Sequence, residues 1–563
     1  MRDPLLKTPY QMGNILCFLD TFARKAAFNC SFVRWFRGCH GAQLTSIQMT
    51  SIYGPIEFIA VASIVVLIAA IHVFGFGSLL VRLANVPCKD FCSRGAIVGG
   101  AGFAALGFEM WALGYVGGWS SQALAVSTLL ILLFCIALFR NLKDTLNETF
   151  VGLTGRLNSL DKLQLTLASL AAITFLAAVI SGLRPPLLYD EIDYHWPAPL
   201  YWANNHHWLP SPYRLTNGPV LVELLYTIAA VFSSSTGGHW LATMLWLVLL
   251  LACAGLGRLI AVPAFVVIVA VMACPVITTV ASMMGNDLGA SVFVVTAFLT
   301  MLQMRESKQP YRIGLLSSFI LCAGISSKAP YAVAAAPAML AYSICFCDAS
   351  RSVVRRLALA LTLGIPCLLV GGLWCLHTFG LTHHFLDVPM QAISTSRPIT
   401  TEVQSLHNPT GMVTLPNLST AITLPLLPFI TSIFGNQEPF GGRTGLIICP
   451  WLPFLLWQLK KLKEPTKHYA WWMVAASMLY YIEIGLLTPR TRYFIFTWAI
   501  WSTLAAAGFW LTYQSVSSGK RKFVAVAFCG LAAISCIDGI RTNLLYRPEG
   551  FKSIMMQLEW FQK

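Results

Sequence analysis

Residues 163–183 read LQLTLASLAAITFLAAVISGL, a run of 21 positions without a charge that closes on Arg184-Pro185-Pro186. As a helix such a run is about 31 Å long, the thickness of a bilayer's hydrocarbon core. Within that core each backbone N–H and C=O must find its partner in the same segment or in a closed barrel, and continuous apolarity without alternation points to the helix. Comparable runs recur along the 563 residues, which are 56% hydrophobic and only 11% charged, with a mean hydropathy of +0.68. A soluble chain carries about 25% charged residues. The expectation is an all-α polytopic membrane protein with roughly 12–14 transmembrane helices.

Directly after this run stands Tyr189-Asp190-Glu191-Ile192-Asp193-Tyr194-His195, three carboxylates in four residues, followed by the aromatic segment Trp196 to Trp202. Charge at this density is costly in hydrocarbon, so it belongs at a membrane surface or in a wet cavity, where it reads as functional. The competing reading is a set of solvated loop charges.

The net charge of +15 does not indicate nucleic acid, because Lys and Arg gather in short loops between apolar runs and form no basic face with interleaved aromatics. Many of the 16 cysteines lie within spans, and neither Cys88/Cys92 nor Cys345/Cys347 has a second pair at zinc-finger spacing. About 50 mixed polar residues precede the first apolar run, which is not the pattern of a cleavable signal. No Gly-x-Ser-x-Gly or His-Glu-x-x-His occurs, which ranks a membrane protease low.

Residues 1–54 form a basic arm, in which 14–36 reads either as an interfacial amphipathic helix or as a solvated segment. Spans are expected at 55–83, 96–117, 121–139 and 163–183, with a short surface or re-entrant segment at 220–232. Further spans fall at 240–257, 259–281, 288–304, 313–324, a return by 346, 357–379, 445–458, 469–487, 493–513 and 523–540. One alternation then puts the connection 140–162, Arg258, Arg305 to Arg312, Arg351 to Arg356, Lys460 to Lys467 and Lys520 to Lys522 on the cytoplasmic side. Extended backwards, it places the basic arm outside, against the rule. Either one of the first three runs does not span, or the arm lies on the outer surface.

On the outer side this topology collects Asp190, Glu191, Asp193, Asn286, Asp287, Lys328, Arg490, Arg492 and Tyr493. If 189–202 is an α-helix, Asp190, Asp193 and Tyr194 share one face, and Glu191, Tyr194 and His195 share the next. Carboxylates can deprotonate or orient a hydroxyl or amine, and Lys and Arg can hold a phosphate leaving group. Each also has a plainer reading. Asn286-Asp287 can cap the helix that follows, Lys328 can snorkel, and Arg492 can mark a helix end. The histidine pairs His383-His384 (near Asp387) and His206-His207 are weak metal candidates, because adjacent histidines diverge on a helix.

The order of these residues resembles the integral-membrane C-type glycosyltransferases, in particular bacterial relatives of protein mannosyltransferases and aminoarabinose transferases. The resemblance rests on Tyr189-Asp190-Glu191-x-x-Tyr194-His195 after an outward span, Asn217-Gly218-Pro219 leading into Glu223, and Gly285-Asn286-Asp287. It continues with Gly324 to Tyr331 around Lys328, and with Arg490-Thr491-Arg492-Tyr493-Phe494. It covers roughly 160–515, which divides the chain into a 1–54 arm, an extra membrane segment 55–150, a core 151–515, and a last span with its tail 516–563. Where aminoarabinose transferases carry a Lys before a Pro-Pro, this chain has Thr216-Asn217-Gly218-Pro219, which argues against that substrate.

The resemblance implies a C-type helical bundle in a bacterial inner (plasma) membrane. A polyprenyl-phosphate-linked sugar would be the donor, and a lipid, glycan or protein the acceptor, approaching from the extracytoplasmic face. It implies Asp190, Glu191 and Asp287 as catalytic carboxylates, and Asp193, Tyr194, His195, Asn286, Lys328, Arg492 and Tyr493 as substrate contacts, Lys328 and Arg492 at the donor phosphate. No cofactor is demanded, though a divalent cation on the carboxylates stays open, since some relatives use one. The alternative is a secondary transporter or lipid flippase that uses 190–193 for coupling, but such proteins tend to hold charges near the midplane on repeated, broken helices.

Overall fold

The computed structural model describes residues 55–88, 90–137, 161–183, 186, 190–211, 216, 218–328, 336–337, 339–343, 352–382, 443–487 and 491–544. The basic arm, residues 383–442 with His383, His384 and Asp387, and the residues Tyr189, Asn217 and Arg490 lie outside them, as do the side chain of Arg492 and the tail after 544. The described elements are helical throughout, and eight of them are long and apolar enough to cross a membrane. The protein is an all-α integral membrane protein. The remaining expected spans are short (Ser121–Ala137, Ile448–Gln458), less apolar (Pro310–Ser327, Thr466–Leu487), broken, or outside the described residues.

The first three helices are α1 (Pro55–Ala84), α2 (Phe91–Tyr115) and α3 (Ser121–Ala137). Asp90 caps α2 by accepting from Ser93 N at 2.9 Å, which satisfies one of the orphan donors of the first turn. Helix α2 is rich in glycine because it is central. A Cβ at Gly102 would lie 2.0 Å from Val73 O of α1, and one at Gly99 would lie 2.5 Å from a methyl of Val248. Such close backbone approach is how helices associate in lipid, where no hydrophobic force draws them together. Thus residues 55–115, which the sequence sets apart as an extra segment, pack directly on later helices.

Next come α4 (Lys162–Ser181), α5 (Pro197–Asn205), α6 (Leu221–Val231) and α7 (Ser235–Leu259). The 11-residue α6 does not lie on a surface. It is buried between α2, α5 and α7. The run 259–281, expected as one span, is instead two helices, α8 (Ala264–Met272) and α9 (Pro275–Val280). Pro275 has no N–H to continue the ladder. The break is satisfied from a distant segment, with Val276 N donating to Arg443 O at 2.9 Å. Gly445 passes so close that a Cβ there would lie 2.1 Å from Ala273 O, and its φ of +81° favours glycine.

The chain continues through α10 (Asn286–Leu302), α11 (Pro310–Ser327), α12 (Val353–Thr382), α13 (Ile448–Gln458), α14 (Thr466–Leu487), α15 (Ile495–Ser515) and α16 (Ser518–Leu544). The spanning window of α10 is 100% buried, whereas those of α4, α12 and α16 are 17–28% buried, so the latter form the apolar rim.

Contacts at the helix ends sort the basic residues. Arg312 donates to Leu83 O, Tyr311 to Arg355 O, and the Arg305 guanidinium lies over the Tyr469 ring, which joins the ends of α1, α10, α11, α12 and α14. At the other end Tyr115 bonds His377 at 2.6 Å, joining the last turns of α2 and α12. Helices α1 and α2 are antiparallel, with Gly77 against Val98 and Val73 against Gly102. Residue 55 therefore stands at the end where α2 finishes, and both runs cross the bundle.

Candidate functional site

The acidic stretch does not continue as an α-helix. Glu191–His195 is a single π turn, closed by Trp196 N donating to Glu191 O five residues back at 3.0 Å, before Pro197 opens α5. The wider turn separates Asp190 from Asp193, which 3.6-residue spacing put on one face, and keeps Glu191 with His195 as that spacing expected. Glu191 and His195 turn inward together, while Asp193, expected at the site, is exposed. Single π turns of this kind occur often at functional sites.

Glu191 is fully buried. Its Oε1 accepts from Met284 N at 2.9 Å and lies 3.1 Å from His239 Nε2 of α7. It ties the π turn to the segment between α9 and α10. His195 is buried too, with Nδ1 2.9 Å from Glu223 Oε1 of α6 and the Tyr194 ring 4.1 Å from its own. The His195–Glu223 separation is that of a hydrogen bond, but the oxygen lies off the line of the ring N–H, so the pair is a close contact and not an aligned bond. Among the described residues neither Glu223 carboxylate oxygen accepts a hydrogen bond, although Glu223 is 1% exposed.

Asn286 and Asp287 do not cap α10. The cap position is Gly285, whose carbonyl is held by the Tyr226 hydroxyl at 3.0 Å. Asp287, in the first turn, accepts from Lys328 Nζ at 2.5 Å, and Asn286 Oδ1 lies 3.3 Å from the same nitrogen. Lys328 Nζ also stands 4.4 Å from the centre of the Tyr493 ring. It therefore does not snorkel. It is held between a carboxylate and an aromatic face, at the point where α11 ends.

Asp190, Glu191, His195, Gly285 and Asp287 line one small cavity with Val280, Met283, Met284 and Leu288. Its volume of about 20 Å³ accommodates a water-sized group. Of the residues expected at the site, Asp190, Glu191, Asp287 and His195 reach the cavity. Asn286, Lys328 and Tyr493 form its flank through Asp287, Tyr194 backs His195, and Asp193 is exposed and does not line it. Among the described residues no group of three or more His, Cys, Asp or Glu side chains is placed to hold a metal ion.

His239 and Glu223 stand outside the set of residues expected at the site. Each had a signal, since Glu223 is the one charge in Leu221–Val231 and His239 interrupts an apolar helix. A second buried polar group was also overlooked. His72 Nδ1 of α1 lies 2.7 Å from Glu109 Oε2 of α2, His72 Nε2 lies 3.0 Å from the Thr128 hydroxyl of α3, and Ser127 donates to Glu109. Every member has a partner, as expected for polar residues that fasten helices to one another in lipid. No family model, curated protein or solved structure matches the chain.

Proposed function

We propose that this chain is an integral-membrane glycosyltransferase that moves a sugar from a polyprenyl-phosphate donor to a hydroxyl or amine acceptor. The observation that carries the reading is the convergence of Asp190, His195 and Asp287 on one cavity at the bundle end away from the Arg- and Lys-bearing helix ends, with Lys328 on its flank. Asp190 orients the acceptor for attack at the anomeric carbon, and the departing phosphate meets the cation at Lys328 as its charge develops. Asp287 holds Lys328 in place before substrate arrives. By the positive-inside rule the cavity opens on the extracytoplasmic face, in a bacterial case that of the inner membrane.

The test is release of free polyprenyl phosphate by the purified protein in lipid nanodiscs. It is offered a panel of polyprenyl-phosphate-linked hexoses and pentoses with cell-envelope lipid and glycan as acceptors, and products are read by mass spectrometry. At least one donor is consumed by the wild type, and Asp190→Asn, which folds normally, loses about 10²-fold or more of that rate. Wild-type rates in Asp190→Asn, or no donor consumed, reject the assignment.

A secondary transporter is the second reading, favoured by the broken run α8–α9 and by two buried His–Glu contacts beside the cavity. Flux of a sugar-lipid across liposomes without a covalent product selects it.

A further inference from the structure

We infer that His195, held by Glu223, presents the proton-accepting nitrogen of the cavity, leaving Asp190 to orient the acceptor. The inference rests on the transferase reading for its chemical step but not for its geometry. Three observations carry it. His195 lines the cavity, and a methyl group added at Gly285 would lie 3.9 Å from its Nε2, so the ring edge bearing Nε2 faces the start of α10. The opposite ring nitrogen, Nδ1, is 2.9 Å from Glu223 Oε1. Among the described residues both Glu223 oxygens are buried without a hydrogen bond.

A buried carboxylate with no aligned donor is costly, and His195 Nδ1 is placed to relieve it. When Nδ1 carries the proton toward Glu223, Nε2 keeps its lone pair and turns it to the cavity. Catalytic contacts of this kind are often loose before substrate binds. Glu191 is excluded from this role because its Oε1 already takes the Met284 N–H and faces His239. Asp287 is excluded by Lys328, which holds it as an anion in an ion pair.

In the step itself, the acceptor oxygen or nitrogen forms a bond to the anomeric carbon with its lone pair. The bond from that carbon to the phosphate oxygen breaks, and its electron pair leaves with the polyprenyl phosphate. The acceptor's proton goes to His195 Nε2, and the imidazolium so formed is stabilised by the Glu223 carboxylate until it releases the proton to water. Glu223 touches no substrate and is a positioning residue.

Two measurements test this. Protein labelled with ¹⁵N-histidine is reconstituted in bilayers, and His195→Gln assigns the His195 ring resonances by their disappearance. The expected wild-type state at pH 8 has Nδ1 protonated and Nε2 bare, and Glu223→Leu moves the proton to Nε2. Once the panel assay has identified a donor, His195→Gln lowers kcat by about 10²- to 10⁴-fold, the usual span for a positioned acid or base. Glu223→Leu lowers kcat about 10-fold or more with KM within about two-fold, a split that loss of substrate binding does not give. A wild-type His195 protonated at Nε2, or full kcat in His195→Gln, overturns the inference. If no donor is consumed the transferase reading falls, and the tautomer alone decides whether His195 offers a basic nitrogen to the cavity.

Discussion

Glu191 has no exposed surface, and two donors converge on one of its oxygens. Removing that carboxylate leaves the Met284 N–H and the His239 ring without it in a buried place, and breaking a buried pair by deleting one partner costs about 3–5 kcal/mol. Glu191→Ala is therefore expected to lower the thermal unfolding midpoint of the detergent-solubilised protein and its yield of monodisperse material. The neighbouring change Asp190→Asn leaves both near wild type, because Asp190 is only half-buried at the cavity. Equal melting of the two variants would contradict the separate roles assigned to them. The sequence shows that charge this dense is costly beside an apolar run. It could not show the π turn, because counting faces presumes 3.6 residues per turn, and the wider turn separates Asp193 from Asp190 while Glu191 and His195 stay together. Nor could it show that Glu223, 28 positions after His195, lies 2.9 Å from its ring. That contact depends on where α6 is buried.

Helices α1 and α2 meet backbone to backbone. At Gly102 the nearest atom to an added Cβ is a main-chain oxygen, and no rotamer change can move it. Gly102→Leu must separate the two helices, and with them the contacts of α2 to α6 and α7, at a cost above the roughly 1–3 kcal/mol of ordinary overpacking. The expected result is loss of a monodisperse peak in size-exclusion chromatography. Gly530→Leu on α16, where nothing lies within 4 Å of an added Cβ, serves as the control and elutes as wild type. At this scale the sequence was most legible where length and apolarity decide, as for α1, α2, α4, α7 and α12, whose cores fall inside the expected runs. It misled at 259–281, where continuous apolarity hid the stop at Pro275 whose donor gap is closed by a segment 167 residues later (443 − 276). Cys88, just after α1, is a free thiol, which burial first and Asp90 second push up to about 12, leaving little thiolate at neutral pH.

For the molecule as a whole, the helix-end contacts separate two chemically different poles. One gathers Arg305, Arg312 and Arg355 with the exposed Lys520, Arg521 and Lys522 expected beside them, and the other carries the cavity. If the positive-inside rule governs insertion, the first pole is cytoplasmic, and residue 55 then emerges on the outer face. Single cysteines placed in a background lacking the 16 native ones report the orientation directly. Asp193→Cys, exposed on the π turn, is expected to react with a membrane-impermeant maleimide applied to intact cells, and Lys520→Cys only after permeabilisation. The reverse pattern would put the cavity in the cytoplasm, away from any lipid-linked sugar presented outside, and the transferase reading would have to yield to one with a cytoplasmic substrate. Labelling of both from the same side would mean that the alternation fails between α5 and α16, and the shared pole inferred from the contacts of Arg312, Tyr311 and Arg305 would fail with it.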